Sequence, residues 1–169
     1  IETPTVCGGF VQTDTARGFN KLAVCNRYAP AAPAVAFVKG FGLTRGAIAS
    51  SVSHDSHHIV AVGATDDALS AAINEVINHK GGLAVADNNR KILTALPLPL
   101  AGLMSTLPAE EVARAYSDCE NLAKLLGSSL TAPFMTLSFL ALSVIPNLKL
   151  TDKGLFDGQT FQHVPLFAD

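Results

Sequence analysis

FVKGFGLTRGAIASSVSHDSHHIVAVG, residues 37–63, is the stretch on which the fold turns. In and around it Val35–Val38, Ala47–Val52 and Ile59–Val62 are small and β-branched, which suits strands buried on both faces. Between the last two lie three histidines and an aspartate: His54, Asp55, His57 and His58. A polar cluster at a strand end is the usual place for chemistry in an α/β protein.

Toward the N-terminus, residues 1–20 are polar and punctuated by Pro4, Gly8, Gly9 and Gly18, and read as a connecting arm before a domain at 21–169. Lys21–Tyr28 alternates weakly and predicts a strand, and the prolines of Ala29–Pro33 predict a loop. Strands follow at Val35–Lys39, Ala47–Ser53 and Ile59–Gly63. After Gly63 the period changes. Thr65 or Asp66 caps a helix whose apolar positions Leu69, Ala72, Ile73, Val76 and Ile77 recur at three- and four-residue spacing, and Gly81-Gly82 ends it. Leu83–Asp87 and Lys91–Leu96 read as strands joined by the turn Asp87-Asn88-Asn89-Arg90. The prolines of Leu96-Pro97-Leu98-Pro99-Leu100 confine that segment to an extended edge or an exit loop. Thr106-Leu107-Pro108-Ala109-Glu110-Glu111 starts a helix that runs to about Leu126 and stops at Gly127. Pro133–Ile145 fits a helix or a buried strand, and Phe161–Val164 fits a last strand. The sum is an α/β domain, with α+β as the alternative: one mixed sheet of about six strands flanked by helices.

Composition narrows the function. With 169 residues, 49% apolar and 15% charged, the chain fills one compact domain and is not disordered. So low a charge fraction suggests that part of the surface is covered by a partner or a further domain. A net charge of -2 without a basic cluster excludes the electrostatic footprint of a nucleic-acid binder. The apolar runs fall short of the roughly 20 residues a membrane helix needs. Cys7, Cys25 and Cys119 are odd in number and share no CxxC spacing, which argues for a reducing, cytoplasmic setting. The chain opens at Ile1 without methionine, and we expect a longer polypeptide around it.

Imidazoles beside a carboxylate serve zinc, manganese or iron, and equally serve acid–base work near neutral pH. His54 and His57 are the candidate metal ligands, but a closed site needs three or four and no fourth can be named. Alternatively the same groups, with Ser53 and Ser56, cap a turn and hydrogen-bond backbone. Gly40-Phe41-Gly42 lacks the third glycine of a dinucleotide fingerprint, and its glycines fit positive φ angles. Lys39 and Arg45 fit an anion or a solvated face. Cys25 and Cys119 lack a base partner and read as inert buried thiols. His79 fits the dipole at a helix C-terminus.

Long strings across the chain resemble the C-terminal domain of bacterial adenine deaminases of the amidohydrolase superfamily: FVKGFGLTRGAIASSVSHDSH at 37–57, GGLAVAD at 81–87, LPLPLAGLMS at 96–105, PAEEVA at 108–113, PFMTLSFLALSVIPNLKLTDKGL at 133–155 and FQHVPLF at 161–167. Two places depart from the resemblance. His58 stands where such proteins typically carry Asn, and Cys25–Tyr28 differs from their Glu-Arg-His-like wording. The resemblance implies hydrolysis of adenine to hypoxanthine and ammonia, on a divalent metal (Mn, Fe or Zn) held by a β/α-barrel that lies outside this chain. It further implies the barrel as partner, adenine as substrate and a homo-oligomer. His54, Asp55, His57 and His58 would then complete the substrate pocket or fasten the domain interface. A stand-alone metal- or purine-binding module and a dimerisation domain are the other readings.

Overall fold

Alternation of large and small apolar residues lets one sheet be buried on both faces. In chain order the strands and helices are β1 (Thr5–Cys7), β2 (Phe10–Gln12), β3 (Phe19–Cys25), β4 (Ala34–Lys39), β5 (Ala47–Ser50), β6 (Ile59–Gly63), α1 (Asp66–Asn78), β7 (Gly82–Ala86), β8 (Ile92–Pro97), α2 (Ala109–Leu125), α3 (Pro133–Ser138), β9 (Leu148–Thr151), β10 (Gly154–Asp157) and β11 (Gln162–His163). This computed structural model describes residues 2–167. Ile48, Val60, Val62, Leu83 and Val85 point to one face and pack with Cys119 and Ala123 of α2 and Phe134 and Leu137 of α3. Their neighbours Ala47, Ala49, Ala61, Ala84 and Ala86 point to the other, where α1 lays Ala68, Leu69, Ala72 and Val76 against them. Methyl-sized side chains on that face leave room for a helix to sit close.

The main sheet has six strands in the order β4-β3-β6-β5-β7-β8, and every ladder is antiparallel. The expected single domain, one sheet of about six strands flanked by helices, is therefore realised in its α+β form; the sheet is antiparallel throughout rather than mixed, because the α1 crossover sets β7 antiparallel beside β5 instead of placing a parallel strand next to β6. β5 and β6 are hairpin neighbours joined by residues 51–58, so the histidine segment is the connection of two central strands. From β6 the chain crosses through α1 to β7 on the far side of β5.

Thr65 caps α1 as expected, its hydroxyl accepting from the Ala68 amide at 3.2 Å. Asp66 and Asp67 occupy the first turn, where they favour the helix dipole. The Asp87–Arg90 turn also forms, with the Asp87 amide donating to the Lys91 carbonyl. β8 ends at Pro97 on the sheet edge, the position a proline tolerates.

Other boundaries differ, for local reasons. β3 begins at Phe19 and stops at Cys25, because the Asn26 carboxamide oxygen accepts from the amides of Tyr28 and Ala29 and turns the chain. β5 stops at Ser50 rather than Ser53, since the Ser50 hydroxyl accepts from the Val52 amide. Pro108, not Thr106, occupies the N-cap of α2, and its carbonyl accepts from Glu111 and Val112. Pro133–Ile145 is helical only to Ser138 and continues in three-residue turns, while the Leu140 carbonyl accepts from Leu150 in β9. The tail holds three short strands, β9, β10 and β11, where one was expected. Within residues 1–20, β1 and β2 pair as a small hairpin, and Asp14 caps a single 3₁₀ turn at Thr15–Arg17.

Candidate functional site

Residues 51–58 are pinned before they reach their polar tip. Ser51 is fully buried, donates its hydroxyl to the Gly102 carbonyl at 2.6 Å and accepts from the Gly82 amide at 2.8 Å. The His54 amide donates to the Ser138 carbonyl at the end of α3, and the His57 amide donates back to Ser53 at 2.7 Å. The Tyr28 hydroxyl closes the other side by donating to the Ser56 carbonyl. Backbone carbonyls and amides are thus largely spent on position, leaving side chains to face outward.

The four expected residues separate onto two sides. His54, Asp55 and His58 line one cleft of about 330 Å³, together with Asp152, Lys153 and His163 from the β9–β10–β11 sheet. His57 lines a second hollow with Arg27 and Tyr28. A positive φ of 52° at His57 makes the division: the backbone reverses there, and adjacent His57 and His58 part company.

His54 stacks on Phe139, ring centres 5.0 Å apart, and meets the edge of His57 at 5.9 Å. His58 is buried, and its Nδ1 accepts from the Arg27 amide at 3.2 Å. That bond makes Nε2 the protonated nitrogen of the neutral ring, and it faces Asp152 Oδ1 at 3.5 Å. The other Asp152 oxygen accepts from Asn26 at 2.8 Å, so a chain of polar contacts runs from the 26–28 turn through His58 to the tail. Asp55 is exposed at the lip. Burial pushes the His57 imidazole below its ordinary value, with the nearby His54 and Arg27 charges acting in the same direction. His57 Nδ1 is shielded from solvent and has no hydrogen-bond partner.

A divalent ion does not fit these residues alone. Among the described residues no three His, Cys, Asp or Glu side chains gather in a metal-binding set. His54 and His57 offer two imidazoles in edge contact, and His58 has Nδ1 bonded to the Arg27 amide and Nε2 facing Asp152 at 3.5 Å. Cys119 is buried and its thiol is pushed up to about 12 by that burial, and burial also raises Cys25. Neither is a nucleophile at neutral pH.

Sequence reading missed Asp152, Arg27 and Tyr28, and passed over His163. The turn Thr151-Asp152-Lys153-Gly154 carries the type of signal that finds a hairpin, but nothing in it announces a partner 126 residues away in Asn26.

Fold and cleft together define a single α+β domain that presents a histidine-rich loop at a cleft rim. Residues 1–162 match the family described as the adenine deaminase C-terminal domain, and the chain belongs to that family. It is 53% identical to an adenine deaminase of Salinibacter ruber over its full length and 31% of the relative. An adenine deaminase of Parabacteroides distasonis is 53% identical over 95% of the chain and 29% of the relative. One from Methanosarcina barkeri is 50% identical over 99% and 30%. The chain thus spans about three tenths of the length of these relatives.

Proposed function

We propose that this chain is the C-terminal domain of a metal-dependent adenine deaminase, and that Ser53, His54, Asp55, Ser56 and His58 line the pocket that receives adenine. The reaction is hydrolysis of the purine amino group to hypoxanthine and ammonia, a step of purine metabolism in the cytoplasm. The divalent ion, manganese, iron or zinc, is held by a barrel domain outside this chain, and the whole works as a homo-oligomer. Support for the compartment comes from three unpaired thiols, Cys7 among them exposed.

The observation that carries the reading is the convergence of His54, Asp55 and His58 with Asp152, Lys153 and His163 on one cleft in a chain of this family. Its volume of about 330 Å³ lies at the small end of ligand pockets, roughly 300–1,000 Å³. Adenine is flat, with ring nitrogens that accept and an amino group that donates. Asp55 at the lip accepts from that amino group, or from a ring N–H. His54, backed by Phe139 and tied to Ser138, presents a fixed imidazole to hydrogen-bond a ring nitrogen. His58 Nε2 and Asp152 Oδ1, 3.5 Å apart, hold the rear wall, and Asn26 donates to the other Asp152 oxygen, so the carboxylate does not face the base unpaired. This chain's part is to orient the base and exclude water; the bond-breaking charge belongs to the barrel.

Steady-state kinetics of His54→Ala and Asp55→Asn in the full-length enzyme, with melting recorded on the same samples, test the reading. A fall of kcat/KM of at least about tenfold at unchanged Tm is expected, the loss of one oriented hydrogen bond to the reacting base. A joint fall of activity and Tm would assign residues 53–58 to the interface with the barrel, and unchanged activity would remove them from the pocket.

A further inference from the structure

The second hollow on the far side of residues 53–58 has a composition of its own. It lies between the 26–30 turn, the end of α1 and the 101–103 segment, opens to solvent and has a volume of about 830 Å³. Arg27 and Lys80 contribute two cations to its wall, and no aspartate or glutamate lines it. Neither cation forms an ion pair among the described residues. Val76, Ile77 and Leu103 supply an apolar wall.

Arg27 is held by backbone and aromatic contacts alone. Its Nη2 donates to the Ala101 carbonyl at 2.7 Å and to the Tyr28 hydroxyl at 3.2 Å, and the guanidinium carbon lies 5.1 Å from the Tyr28 ring centre. Gly102 is the seat for the other nitrogen, since a Cβ there would come within 1.9 Å of Nη1. Nε is shielded and unpartnered. A guanidinium immobilised by backbone and aromatic contacts, yet without a counter-charge, has met the entropic cost of recognition before any ligand arrives. A carbonyl and a phenol satisfy two of its donors and none of its charge.

We propose that this hollow is a binding site for a small organic anion, a carboxylate or phosphate monoester on a flat apolar body, gripped by Arg27 and Lys80 with its body against Val76, Ile77 and Leu103. The site is separate from the adenine cleft and does not rest on the reading of that cleft. Adenine has no negative charge and is not expected to compete.

Calorimetric titration of the full-length protein with benzoate, phenyl phosphate and inorganic phosphate tests the proposal. Benzoate or phenyl phosphate is expected to bind, and the tighter of the two identifies the carboxylate or the phosphate ester as the anion read. Lys80→Ala removes an exposed side chain and is expected to weaken that binding roughly tenfold, the loss of one charge contact. Gly102→Ala leaves both charges in place but evicts the guanidinium from its seat, and is expected to weaken it as much. Arg114→Ala, an exposed cation on α2, serves as the control and is expected to change nothing. No binding by benzoate or phenyl phosphate, affinity unchanged from wild type in both Lys80→Ala and Gly102→Ala, inorganic phosphate binding as tightly as the other two, or displacement by adenine would each overturn the proposal.

Discussion

His57 carries the sharpest consequence at the residue scale. Its side chain turns away from its neighbour His58 because its own φ is positive, and its Nδ1 is enclosed without a partner. Protonation would place a charge where water cannot reach one of the two N–H groups, in line with the lowered pKa that burial, and then His54 and Arg27, impose. The sign follows from proton uptake. Around the ordinary histidine range the unfolded chain binds a proton that the folded chain refuses, so this residue costs stability as pH falls below the unfolded pKa and costs none above it. Asparagine tolerates the same backbone conformation. His57→Asn should therefore narrow the drop in Tm between pH 7 and pH 5 relative to wild type, as read by thermal melts in matched buffers. Parallel pH profiles for the two proteins would contradict this. No sequence pattern told His57 from His54 or His58; the separation depends on a single backbone angle, and any of the four could equally have converged.

Among the elements, α3 is the support on which the cleft depends. It is only six residues long, starts at Pro133 and has no side-chain cap of its own. A neighbouring helix supplies one: Glu120 of α2, buried, accepts from the Phe134 amide at 3.2 Å and from the Tyr116 hydroxyl at 3.0 Å. Burial and the adjacent Glu120 charge push Tyr116 up to about 12, so its hydroxyl remains a donor throughout the useful pH range. From α3 the Ser138 carbonyl holds the His54 amide and Phe139 stacks on the ring. Glu120→Ala leaves the Phe134 amide and Tyr116 unsatisfied and should lower stability by about 1–3 kcal/mol. Glu120→Gln keeps an acceptor and should lose less; denaturant titrations of the two variants make the comparison, and equal losses would show that the carboxylate is no cap. Elements such as α1 and the Asp87–Arg90 turn were legible because their signals are local: Thr65 reaches three residues, and Asp87 reaches four. Glu120 reaches 14 residues, into another helix, and nothing near it in sequence names its partner.

Across the whole molecule, the alternation of large residues with alanine fixed a sheet covered on both faces, and that much could be read from residues 37–63 and 81–87. Strand direction could not. Hydrophobic runs buried on both sides are the mark of parallel sheets, yet here α1 covers one face and α2 with α3 the other while every ladder runs antiparallel. The cleft depends on a still longer closure, with the β9–β10–β11 sheet bringing Asp152, Lys153 and His163 to the histidine loop. That sheet is built from strands of two to four residues, too short to show a period. Photo-crosslinking the full-length protein with 2-azidoadenine, followed by tryptic peptide mapping, tests most directly whether this cleft receives the base. Cleavage after Arg45 and Lys80 isolates residues 46–80 as one peptide, because no lysine or arginine lies between them. Label within residues 53–58 of that peptide, competed by adenine, is the expected result. Adenine-competed label confined to peptides outside residues 46–80 and 150–169 would contradict it.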